Sequence, residues 1–302
     1  MGVASNGLRA FAAAASTSAP RPRGEDAAAA WVMGAKYRAR PFLKWAGGKK
    51  QLLRAIASRF PQQFGCYHEP FLGGGAVFFG LEPCSAVISD INEELIATYK
   101  AVRDNVQAVI GALERHRATS EHYYRVRARE TTDMTIAERA ARMIFLNRTC
   151  FNGLYRVNRK GNFNVPFGRH TNLRLYDRSN LLQVAQVLRH VDIRHESVFS
   201  LKGRVRRGDL VYFDPPYDPV SPTSSFTSYT TAGFGRDEQV RLASLFAHLA
   251  DHGVHVVLSN SDTPFIRRLY TGFRIDRVMV RRAINNRGDK RGAVGEVLVS
   301  AM

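Results

Sequence analysis

The feature that most restricts how this chain can fold is the run from Leu210 to Tyr217, Leu-Val-Tyr-Phe-Asp-Pro-Pro-Tyr. Four apolar or aromatic residues with no polar alternation predict a strand buried on both faces, as in a parallel sheet. The prolines have no N–H to give to a ladder, so they lie beyond the strand's end. Asp214 then sits at the carboxyl edge of a central strand, the edge at which open α/β sheets bind ligands. Pro215 and Pro216 hold the backbone rigid, Pro215 has a carbonyl to aim, and Tyr217 offers a flat apolar face. An acid, a fixed carbonyl and an aromatic plate suit a planar ring bearing an amino group. Taken alone, the run equally describes a strand ending in a proline-rich turn, with Asp214 solvated.

Other segments supply the rest of a nucleotide-type fold. Cys66 to Phe71 predicts a strand, Leu72-Gly73-Gly74-Gly75 a turn, and Ala76 to Phe79 a helix start. The glycines let backbone approach a ligand closely. Ala86 to Ser89 predicts a second strand ending in Asp90, where such folds bind ribose hydroxyls. The spacing suits an adenosyl ligand, although a glycine turn with an N-cap aspartate explains it as well. Ahead of this unit, Trp45 and Lys49 flank Gly47 and Gly48. A phosphate-binding loop is a poor reading, because its first glycine and the Ser or Thr after its Lys are missing. A loop closing over a ligand with a π face and a carboxylate is the better one.

Elsewhere the pattern predicts helices over Gln51 to Phe60 (stopped by Pro61), over much of Asn92 to Asn147, and over Ser179 to Leu188, Glu238 to Leu249 and Pro264 to Tyr270. Strands are expected at Val191 to Arg194, Val254 to Leu258, Phe273 to Arg282 and Ala293 to Ser300. Tyr155 and Val157, with Phe163 and Val165, alternate about a Lys-Gly-Asn turn and predict a hairpin. Its arginines and asparagines are the side chains best shaped to read guanine and adenine edges, although a solvated basic hairpin is the plainer alternative. Ser221 to Phe234 predicts a lid over the site, and Asn285 to Gly292 a basic loop.

Charge decides which partners to expect. The 302 residues carry a formal net charge of +18, a field that attracts polyanions, nucleic acid first. A membrane is the lesser candidate, because no apolar run of about 18 residues is present. Cys66, Cys84 and Cys150 share no Cys-x-x-Cys spacing, so neither a zinc site nor any other metal site is expected, and they suit small core residues of a reducing compartment. Residues 1–38, rich in Ala, Arg, Ser and Pro, predict a disordered extension, with Met33 a candidate start.

From about Pro41 onward the sequence resembles the Dam-type family of DNA adenine methyltransferases (N6-adenine, D12 class). The motifs that carry the likeness are Phe-Leu-Lys-Trp-Ala-Gly-Gly-Lys, Glu-Pro-Phe-Leu-Gly-Gly-Gly-Ala-Val-Phe, Asp-Ile-Asn at 90–92, Asn-Arg-x3-Asn-Gly-Leu-x-Arg-x-Asn at 147–158, Phe-Asn-Val-Pro-Phe-Gly at 163–168, Asp-Pro-Pro-Tyr, and Val-Arg-Arg at 280–282, in the family's order. The resemblance implies an α/β fold: a Rossmann-like S-adenosylmethionine-dependent methyltransferase sheet with an inserted helical and β-hairpin target-recognition domain. It divides the chain into a catalytic part, 39–92 with 180–302, and a recognition part, 93–179. It implies S-adenosylmethionine as cofactor, with Trp45, Lys49, Gly73, Gly75, Asp90 and Asp214 about it, and Asp214, Pro215, Pro216 and Tyr217 as the catalytic group. Arg156 matches the guanine-reading arginine, Phe151 and Asn152 match residues near an extruded base, and Arg148 and Asn158 complete the DNA-binding candidates. Tyr often stands where Phe151 does. The implied activity is site-specific transfer of methyl to the adenine amino group in duplex DNA, GATC being the implied site, by base flipping. The expected partner is double-stranded DNA, the expected state a monomer with no membrane or protein partner, and the expected place the cytoplasm, on the nucleoid if bacterial. Host, phage and restriction-modification roles stay open. The alternatives are an amino-methyltransferase for cytosine in DNA, RNA or protein Gln, and a DNA-binding protein without catalysis.

Overall fold

The computed structural model describes residues 39–45, 47–168, 170, 173–219, 234–281 and 293–301. Seven strands form one sheet in the order β3-β2-β1-β4-β5-β7-β6. They are β1 (Tyr67–Glu69), β2 (Ala86–Asp90), β3 (Asp192–His195), β4 (Leu210–Phe213), β5 (His255–Ser261), β6 (Arg274–Arg281) and β7 (Ala293–Ala301). The first five pair in parallel, and β7 runs antiparallel between β5 and β6. The strand order reverses between β1 and β4, and in such sheets the crevice outside the carboxyl ends at that point is the usual ligand position. This is the mixed α/β, Rossmann-like arrangement expected.

The unbroken apolar run of β4 is explained by the two cores it separates. Leu210 and Tyr212 point into one, Val211 and Phe213 into the other, and all four are fully buried. Burying such side chains contributes about 1.5–3 kcal/mol each, before conformational entropy is set against it. One core holds α1 (Leu53–Ala57), α2 (Ala76–Leu81), α3 (Glu93–Leu113), α4 (Ser120–Ala128), α5 (Ile136–Thr149) and α6 (Arg178–Leu188). The other packs α7 (Arg236–Asp251) and α8 (Pro264–Leu269). The first core runs without a break from Tyr67 and Ile88 on the sheet through Tyr99 on α3 to Ile144 on α5, so packing does not part at residue 93.

Local chemistry sets the helix ends. Asn92, Thr119 and Thr135 each accept a bond from a first-turn N–H, and Thr135 with Glu138 forms a reciprocal cap. The helix expected over Gln51 to Phe60 is shorter, a 3-10 turn at Lys49–Gln51 followed by α1. Arg59 and Phe60 bond back only three residues, which tightens and ends it before Pro61. The hairpin is reduced to one antiparallel bridge, Val157 with Phe163, flanked by bonds from Asn158 N to Asn162 O and from Asn164 N to Arg156 O. Past it, the Val165 carbonyl is taken by Tyr123 and Arg127 from α4, so the ladder cannot extend. Of the cysteines only Cys150 is buried; Cys84 is exposed, contrary to the core position expected for it. The expected extension at 1–38, all of the expected lid but Phe234, and the 285–292 loop lie outside the described residues. Among the described residues no helix is long and apolar enough to cross a membrane.

Candidate active site

The crevice is lined by the three turns that leave β1, β2 and β4. Leaving β1, Gly73 and Gly75 hold left-handed backbone (φ 49° and 67°). A Cβ on Gly73 would stand 2.7 Å from Cδ1 of Trp45, so the indole lies directly against this turn and only glycine lets it. Asp90, ending β2, accepts from Gly73 N at 3.0 Å and Asn92 N at 2.9 Å. Burial nevertheless raises its carboxyl above the ordinary range, with those N–H groups opposing. Tyr99 on α3 donates to the Gly73 carbonyl and closes the floor.

Asp214, one-fifth exposed, faces this turn across the crevice. Lys49 Nζ lies 2.7 Å from its Oδ1, 2.6 Å from the Gly47 carbonyl and 4.8 Å from the centre of the Tyr217 ring. Ser259 donates to the same carboxylate oxygen at 2.9 Å and is itself bonded to the Tyr212 hydroxyl. Burial lifts Asp214 above the usual aspartate range, with Lys49 and then Ser259 pulling the other way. Tyr217 is anchored by its hydroxyl, which donates to Glu296 at 2.7 Å. Pro215 is buried, whereas Pro216 is exposed and gives its carbonyl to Gln239.

Four residues of this site were not singled out from the sequence. Glu69, at the end of β1, is 3 % exposed, accepts from the Tyr67 hydroxyl at 2.7 Å, and is pushed up to about 8 by burial. An acid closing a short buried strand just before Pro70 partly repeats the signal that marks Asp214, although His68 breaks the apolar run. Ser259, Gln239 and Glu296 carried no such mark, because Ser259 and Glu296 reach the corner only through strand pairing and Gln239 only through the packing of α7.

The loop with Trp45 and Lys49 is tied to the 147–158 block by Asn147, fully buried, which bonds Lys44 N, Lys44 O and the Gly153 carbonyl. Trp45 stacks on Tyr155 at 5.4 Å, and Tyr155 in turn donates to Glu94. On the outer surface, Arg156 is exposed and anchored by its Nε to Asn164 Oδ1 at 2.7 Å. Phe151 is 44 % exposed, and Asn152 beside it holds φ 56°. Asn158 spends its Oδ1 on the N–H groups of Lys160 and Asn162, so it shapes the turn. Arg148 gives one guanidinium nitrogen to the Arg174 carbonyl, and its Nε is buried without a partner among the described residues.

The chemistry on offer fits an adenosyl donor that carries hydroxyls, an amino-acid end and a planar ring: lone pairs at Asp90, a cation at Lys49, a carboxyl at Asp214, and a left-handed glycine turn that lets backbone come close.

The model of the D12 class N6 adenine-specific DNA methyltransferase family matches residues 45–284. A type II methyltransferase of Lactococcus lactis subsp. cremoris, M1.LlaDCHI, is 42% identical over 273 residues, 88% of this chain and 96% of its own length. M.MjaIII, a type II methyltransferase of Methanocaldococcus jannaschii, is 43% identical over 274 residues, 83% of this chain and 95% of its own. The DNA adenine methylase of Escherichia coli is 35% identical over 263 residues, 86% of this chain and 94% of its own.

Proposed function

The chain belongs to the D12 class N6 adenine-specific DNA methyltransferases, and from that premise we propose that it methylates the amino group of an adenine flipped out of duplex DNA, within GATC. One observation carries the reading: a cationic nitrogen rests 2.7 Å from Asp214 and 4.8 Å from the Tyr217 ring centre. That is the place and the set of contacts an adenine amino group needs.

When bound, S-adenosylmethionine supplies an electrophilic methyl group. The chain supplies position and charge. Tyr217, its hydroxyl fixed by Glu296, stacks on the flipped base. Asp214 and the Pro215 carbonyl accept the two amino hydrogens, which draws electron density onto a nitrogen whose lone pair is otherwise delocalised. With the donor bound, the S–CH3 bond would break as the C–N bond forms, its electron pair leaving with the thioether sulfur, and the Asp214 carboxylate, hydrogen-bonded to the amino group, is placed to take the one proton the nitrogen sheds. Trp45, Gly73, Gly75 and Asp90 hold the donor, residues 39–92 with 180–302 acting as the catalytic part. Residues 93–179 read the DNA: Arg156 takes a guanine edge, Phe151 and Asn152 fill space near the vacated stack, and Arg148 and Asn158 support the block that presents them.

Expression in a host without adenine methylation tests this. Plasmid DNA should become resistant to nucleases blocked by methylation at GATC and stay open to those blind to it. Methyl incorporated at adenines elsewhere would move the target site away from GATC. Transfer to cytosine, RNA or glutamine amides, or none at all, would overturn the reading.

A further inference from the structure

Behind the Asp-Pro-Pro-Tyr corner lies a buried chain of amides that the reaction as described does not use. Two consecutive prolines leave the corner with no N–H of its own at 215 and 216, so it can be tethered there only through its carbonyls. Gln239 on α7, 2 % exposed, donates from Nε2 to the Pro216 carbonyl at 2.7 Å. Its Oε1 accepts from Asn260 Nδ2 at 3.1 Å, and Asn260, fully buried on β5, accepts at Oδ1 from Asp218 N at 3.2 Å and Ser261 N at 2.8 Å.

The direction of this relay is forced. Two backbone N–H groups face one end of the Asn260 amide, so that end is oxygen and the other is the donor. Gln239 must then turn its oxygen to Asn260 and its NH2 to Pro216. The Pro216 carbonyl is thereby occupied, while the Pro215 carbonyl makes no hydrogen bond among the described residues. Residue 218 is pinned independently: Thr263 donates to Asp218 Oδ2 at 2.8 Å and Ser261 Oγ to its carbonyl at 2.6 Å.

We propose that Gln239 and Asn260 are positioning residues for methyl transfer: the relay fixes which of the two proline carbonyls is free, and so where the target amino group is held. This rests on the reading of Asp214 and Pro215 given above. It assigns a rate effect to two side chains that touch neither donor nor base.

Gln239→Met keeps the volume and removes the donor to Pro216; Asn260→Asp removes the donor to Gln239 and lets the Gln239 amide reverse. Each should slow single-turnover methyl transfer by roughly 10- to 100-fold, the scale on which misplacement of about 1 Å acts. KM for the methyl donor and affinity for DNA should stay within about threefold. The double variant should be no slower than the slower single, since both break one relay. Thr263→Val removes the bond to Asp218 Oδ2, of similar burial and outside the relay, and should lower stability with the rate unchanged. Wild-type rates in folded Gln239→Met, or multiplicative losses in the double, would overturn the proposal. So would failure of both relay variants to fold when Thr263→Val folds, because the relay would then serve the fold alone. Asp214→Ala run alongside separates the two ideas: if it turns over normally the corner reading is wrong, and if it alone is impaired the relay is.

Discussion

The corner after β4 and the turn at 155–165 are both polar, and they are built in opposite ways. At the corner every partner comes from a distant segment: Ser259 lies 45 residues from Asp214, Glu296 79 from Tyr217, Gln239 23 from Pro216. Distant partners hold the base of the turn, but at its exposed tip they are neighbours: Asn164 lies 8 residues from Arg156 and Asn162 4 from Asn158. The corner is buried and held from several sides, whereas Arg156 and Phe151 stand in solvent. Chemistry on a weak nucleophile needs groups that do not reorganise, and that takes a rigid sheet. Reading DNA needs side chains that can leave one partner for another, and a small local turn suffices.

The sharpest break in the comparison is expected from Asp214→Ala, which should reduce single-turnover methyl transfer by roughly 10³-fold, the upper range for losing one preorganised group, with DNA affinity measured by filter binding little changed. Next comes Lys49→Met. Lys49 holds the Asp214 carboxyl down against burial, so without it the acid limb of the pH–rate profile should move to higher pH. Glu69→Gln tests the same buried charge through stability. The folded carboxyl lies near 8 against an ordinary 4.5, so the folded state binds the extra proton between those values. Wild-type stability should therefore be highest below pH 4.5 as far as this group goes, fall as pH rises toward 8, and level off above it. Urea midpoints at pH 5 and 8 should differ less in the variant.

At the turn the effects are smaller and of another kind. Arg156→Ala should cost about 1–3 kcal/mol of discrimination at one base pair while total binding drops less. Competition between DNA sequences measures it, and equal loss on all of them would make Arg156 a phosphate contact. Asn164→Ala, which only frees Arg156 from its Nε anchor, should change binding by about 1 kcal/mol or less. If it matched Arg156→Ala, the turn would be as preorganised as the corner and the contrast would fail.

Several elements were legible because their causes are local. The apolar run of β4 and the prolines that end it are read one residue at a time. The glycine turn after β1 and the acid after β2 follow from the strand–turn–helix spacing. The hairpin was read too long because its second arm loses a carbonyl to Tyr123 and Arg127, residues about 40 positions earlier. Glu69 carried part of the strand-end signal and was passed over. Gln239 and Ser259 carried none: a glutamine on a helix and a serine in a strand are common everywhere.

The sequence by itself determined that a buried parallel strand ends in an acid, two prolines and a tyrosine, because strand burial and the missing proline N–H are properties of adjacent residues. Only the tertiary structure decided what stands against that acid. Lys49, Ser259 and Gln239 meet the corner because β4 pairs with β5 and because the strand order reverses beside it, and such meetings depend on how the sheet is assembled rather than on any neighbouring residue.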